Sequence, residues 1–99
     1  MGEDIQKVIK ELSPIQKKIL IRFAKLGAGT HCNVRLETVQ KRLLKEERNH
    51  IGNEIQILIA KKLIFTYRSR NYGLTTYGKA VAHALLEKEK EELYGFRII

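Results

Sequence analysis

Leu63-Ile64-Phe65-Thr66-Tyr67-Arg68-Ser69-Arg70-Asn71-Tyr72-Gly73-Leu74-Thr75-Thr76-Tyr77-Gly78 is the stretch on which the fold turns. Its opening residues are rich in β-branched and aromatic side chains, which predicts a strand over 63–68. Ser69-Arg70-Asn71 reads as a turn and Tyr72-Gly73-Leu74 as a short return strand, with Leu74 packed into the core. Thr75 is a good N-cap. It opens a last helix over 76–93 with Tyr77, Val81, Ala84 and Leu85 inward, and Gly78 lets its first turn approach a neighbour closely. The far end, 87–92, is wholly charged and so is solvated or protrudes.

Outward from this stretch, toward the N-terminus, the apolar period is helical. Ile51, Ile55, Leu58 and Ile59 place one face on a helix over 48–61. Leu36, Val39 and Leu43 do the same over 35–44. Residues 27–33 hold two glycines and form a loop, ending in a short strand at 32–34. Ser13-Pro14 is an N-cap followed by a first-turn proline. It starts a helix whose inner face is Ile15, Ile19, Phe23 and Leu26 and whose left-handed stop is Gly27. Ile5, Val8, Ile9 and Leu12 stripe one further short helix over 3–12. The fold class is therefore mainly α with a small β-hairpin, an α+β chain.

This order resembles the winged helix-turn-helix, with additional N- and C-terminal helices. The residues that carry the resemblance lie between Ile51 and Ala82, above all Tyr72-Gly73-Leu74-Thr75-Thr76-Tyr77-Gly78. They are similar to the tyrosine-x-leucine-threonine-x-x-glycine signature of many winged-helix regulators of bacteria and archaea. The resemblance covers about 13–86, leaving 1–12 and 87–99 as packing or dimerisation extensions of a single domain, 1–99. It implies a recognition helix over 48–61 and a wing over 63–75. The chain departs from the pattern at Lys62, where glycine usually ends the helix, and at Ile57, where a polar residue is usual. Glu46 and Glu47, just before the recognition helix, would repel phosphate.

Composition bounds the function. Ninety-nine residues make one domain, and one cysteine excludes an internal disulfide and fits a reducing cytoplasm. No apolar run is long enough to span a membrane, and the start Met1-Gly2-Glu3-Asp4 is not a signal core. Ile, Lys and Glu number 12, 12 and 10. That mix suits a thermophile, and an AT-rich genome would give the same. Lys and Arg number 19 against 11 acids, a net charge of +8, which favours a polyanionic partner. No acid occurs from Ile55 to Leu86, where Lys61, Lys62, Arg68, Arg70 and Lys79 all stand.

If the resemblance holds, the partner is double-stranded DNA. Asn49, His50, Asn53 and Ile57 then point outward into the major groove: Asn suits adenine, His a base edge, Ile57 a thymine methyl. Arg48 and Lys61 reach phosphates, and Arg68 and Arg70 flank the wing tip on the backbone or in the minor groove. The plainer alternative is a solvated polar helix face. No catalytic, metal or cofactor constellation stands out. His31-Cys32 lacks a second ligand pair, Cys32 reads as a small buried residue, and no phosphate loop occurs. The apolar stripe of 3–12 and the apolar tail 93–99 suggest a homodimer. The expectation is a non-enzymatic transcriptional regulator. A winged-helix protein-interaction module, or an RNA- or ribosome-binding protein, is the alternative.

Overall fold

The computed structural model describes residues 5–41 and 43–94. It is mainly helical, with a three-stranded antiparallel sheet. The elements run α1 (Ile5–Glu11), α2 (Pro14–Lys25), β1 (Val34–Arg35), α3 (Leu36–Gln40), α4 (Lys45–Arg48), α5 (Ile51–Ala60), β2 (Ile64–Arg68), β3 (Asn71–Leu74) and α6 (Thr76–Tyr94). The side chains of the tail 93–99, for which docking is expected, lie outside the described residues.

The helix starts follow the sequence closely. Ser13 accepts from the Gln16 N–H at 3.2 Å while the Gln16 side chain accepts from the Ser13 N–H at 3.1 Å, a capping box that satisfies two orphan donors. The Thr75 hydroxyl accepts from the Gly78 N–H at 2.8 Å and donates to the Lys62 carbonyl at 2.7 Å. One side chain thus caps α6 and holds the turn after α5.

Two helices end in the same motif. At α2, Gly27 is left-handed (φ 76°), its N–H bonds to the Ala24 carbonyl, and the Ala28 N–H bonds to that of Phe23. At α5, Lys62 takes the left-handed place (φ 63°), its N–H bonds to Ile59, and the Leu63 N–H bonds to Leu58. Both are Schellman closures, but the second puts a Cβ where glycine is favoured. The departure noted at Lys62 is thus a strained copy of the usual turn.

In the sheet, β3 lies between β1 and β2. Ile64 pairs with Leu74, Phe65 with Gly73 and Thr66 with Tyr72, and then Arg68 pairs with Asn71. Tyr67 is the extra residue of a bulge. The short first strand forms at Val34–Arg35, not over 32–34, and pairs Val34 with Tyr72.

One core holds the molecule together. Ile19, Leu20 and Phe23 of α2, Ile55 and Leu58 of α5, Leu63, Ile64, Leu74 and Val81 are almost wholly buried. Val8, Ile9 and Leu12 join that same cluster, so most of the stripe on α1 is covered by its own chain, chiefly α6. Gly78 lies where a Cβ would overlap the Leu63 carbonyl oxygen and stand 2.7 Å from the carbonyl carbon. Only glycine lets α6 pass there.

Expectations at Leu26, at Cys32 and over 35–44 need correction. Leu26 is 38% exposed, because it is the C-cap beyond the last inward turn of α2. Cys32 is exposed, since the loop 27–33 folds its Gly29 N–H onto the Cys32 carbonyl and leaves the thiol outside. The helix expected over 35–44 stops at Gln40, because Leu44 is extended (ψ 157°) and its N–H is taken by the Glu47 carboxylate at 2.9 Å, starting α4.

Candidate functional site

The helix expected over 48–61 is two helices. The His50 backbone N–H donates to the Glu47 carbonyl at 3.2 Å in a tightened turn, and α5 begins only at Ile51. Arg48, Asn49 and His50 therefore stand before α5, and Lys61 is its C-cap. Arg48 Nε donates to the Gln40 and Leu43 carbonyls at 2.9 and 3.2 Å. Those bonds tie Arg48 to the end of α3 and to the link that follows it, a structural task that the sequence does not show. Asn49 and His50 are exposed on the connecting turn.

On α5, Ile51, Ile55 and Leu58 are buried, and Glu54 and Ile59 are half-buried flanks. Gly52, Asn53, Gln56, Ile57 and Ala60 are exposed. At 100° per residue they form a strip about 140° wide, opposite the buried three. None of the five is charged, and Ile57 is 37% exposed. Asn53 and Ile57 lie where the sequence puts them. Gln56 is a residue the sequence reading misses. Taking Ile55 alone as the inward direction sets it to the side, whereas averaging all three buried positions turns the outward pole by about 30° toward it.

The acids near this strip have internal partners. Glu54 Oε1 accepts from Gln16 Nε2 at 2.8 Å, and Gln16 is only 6% exposed. Glu47 pairs with Lys18 at 2.6 Å and accepts from the Leu44 N–H. The Lys18 hydrogen bond, then that of Leu44, holds its carboxyl below the ordinary 4.5. Among the described residues, Glu46 alone of the three acids at 46, 47 and 54 makes no ion pair or side-chain hydrogen bond.

The hairpin β2–β3 follows α5 directly. Its tip residue Arg70 is left-handed (φ 65°) and pairs through Nε with Glu37 at 2.8 Å. The Arg70 carbonyl accepts from the Leu36 N–H at 2.8 Å. Glu37 is held below 4.5, first by a hydrogen bond from its own backbone and then by Arg70. The run from 55 to 86 is thus free of acid along the chain but not in space. Arg68 lies 5.3 Å from the centre of the Tyr67 ring. Tyr67, put outside by the bulge, is 54% exposed. Lys61, Lys62, Arg68 and Lys79 are exposed and make no ion pair among the described residues.

An open recess of about 250 Å³ lies between the loop and β2, lined by Thr30, His31, Cys32, Asn33, Phe65 and Tyr67. No grouping of three metal-ligating side chains occurs among the described residues. No described helix is long and apolar enough to cross a membrane. Comparison with protein-family models, curated proteins and solved structures returns no significant match.

Proposed function

We propose that the chain is a double-stranded DNA-binding protein of the winged-helix kind, a non-enzymatic cytoplasmic transcriptional regulator. Helix α5 is the part that enters the major groove. The β2–β3 hairpin is the wing, lying on the backbone or in the minor groove. The supporting observation is one of charge. An uncharged outward strip on α5 is followed by Lys61 and Lys62, and then by Arg68 on the hairpin, all exposed and without counterions among the described residues. Cations of this kind suit phosphates, while a neutral strip suits base edges. The pairing of Glu47 with Lys18 lowers the repulsion that its position in the sequence suggests, whereas Glu54, bonded to the neutral Gln16 amide, keeps its charge.

A homodimer reading half-sites one helical turn apart fits the family mode. Because α1 is largely covered within its own chain, the dimer surface falls to the charged end of α6 and the tail 93–99. The rival, a protein-interaction module, rests on the exposed Leu44 (61%) and Tyr67 (54%).

A salt series on random duplex DNA separates the two. About five to seven phosphate contacts give a log–log slope of about −4 to −6. Arg68→Ala should flatten it by about 0.9, and Arg70→Ala by less, because Glu37 already occupies that guanidinium. No duplex binding at low salt would overturn the DNA reading and favour the interaction module.

A further inference from the structure

The exposed face of α5 has two properties that the fold does not require. The first is its chemistry. Asn53 and Gln56 are carboxamides, Ile57 and Ala60 are aliphatic, and no Lys, Arg, Asp or Glu shares the strip. Carboxamides pair bidentately with the N6 and N7 edge of adenine, and aliphatic groups cover the thymine methyl. The commonest contact to guanine is a bidentate Arg or Lys, and this strip holds neither. The cations stand off its end, at Lys61 and Lys62, where they suit phosphates.

The second property is Gly52. A Cβ built there meets nothing within 4 Å, and its backbone is ordinary helix. Gly78 and Gly73, by contrast, are crowded by Leu63 and Phe65, and Gly27 has a positive φ. Helical glycine costs stability relative to alanine, and nothing in the chain itself makes use of it at 52. A bare backbone on the outward strip suits the close approach of an outside surface.

We infer that α5 selects A·T over G·C base pairs in the major groove, through Asn53, Gln56 and Ile57, with the groove wall seated against Gly52. The inference rests on the DNA reading above and adds the class of sequence that is read.

The test is selection from a random duplex library at low salt, followed by titrations with the full chain. Enrichment of A·T-rich sites is expected. On an enriched site, uracil for thymine should weaken binding about 4-fold where Ile57 covers the methyl. Asn53→Ala or Gln56→Ala should weaken it about 5- to 150-fold, with little change on random DNA. Gly52→Ala should raise the melting temperature by about 2–8 °C and yet weaken binding to the enriched site. A variant that is more stable but binds less well cannot be a folding defect. Binding with no base preference, or enrichment of G·C sites, would overturn this inference while leaving the DNA reading intact. A Gly52→Ala chain that binds as well as the parent would overturn the role of Gly52. Absence of all duplex binding would overturn both.

Discussion

Lys62 offers a clean measurement of backbone strain. It holds φ 63° at the end of α5, in the same closure that Gly27 makes at the end of α2. A left-handed residue with a Cβ costs about 1–2 kcal/mol. Glycine removes that cost but loses about 0.5–1 kcal/mol more chain entropy on folding. Lys62→Gly should therefore stabilise the fold by about 0.5–1 kcal/mol, raising the melting temperature by about 2–8 °C for a chain of this size. Urea denaturation with an unchanged m-value and calorimetry are the assays. Lys62→Ala controls for the lost charge, since it keeps the Cβ and should gain nothing. Gly27→Ala is the reciprocal experiment. A Cβ there meets nothing within 4 Å, so its net cost, about 0.5–1 kcal/mol, reports backbone strain less the regained chain entropy, with no clash added. A Lys62→Gly chain that melts at or below the parent, beside an unchanged Lys62→Ala, would refute the reasoning.

Gly78→Ala should be severe, because the added carbon meets the Leu63 backbone and no rotamer change relieves it. A cost of about 3 kcal/mol or more, and a melting temperature lower by about 12 °C or more, are expected on thermal unfolding. Acid should weaken the ties at Glu37 and Glu47. Both carboxyls are held below 4.5, so their contribution is present above that value and is lost as pH falls through their lower folded values. Glu37→Gln and Glu47→Gln should each be slightly less stable than the parent at pH 6, and in urea titrations the gap should narrow as pH falls below 4.5. A gap that does not narrow on acidification would contradict the sign.

Much of the architecture was legible because its signals are local. Ser13-Pro14, Gly27 and Thr75 each act within a turn, and each does in the structure what its chemistry suggests; Gly78 was legible by type, but the neighbour it admits, Leu63, is distant along the chain. Periodicity likewise found the buried faces of α2, α5 and α6. It failed where a long-range or side-chain bond decides the matter. The split between α4 and α5 accompanies Arg48 bonding back to Gln40 and Leu43, and no period reports such a bond. The pairing of Arg70 with Glu37 spans 33 residues, so a charge count along the chain misses it. Cys32 looks apolar by type, yet its loop leaves it outside.

The contact of Gly78 with Leu63 makes a joint. There the end of α5, the start of β2 and the start of α6 are held within a few ångströms by Thr75 and by glycine's missing side chain. From that joint α6 runs 19 residues, an arm of about 28 Å at 1.5 Å per residue. A tilt of about 5° at the joint sweeps its far end through about 2.4 Å over such an arm. That sweep is resisted by the packing of α6 on α2 and by the Lys25–Glu89 pair near its far end, so the joint and the far end of α6 are held in one frame.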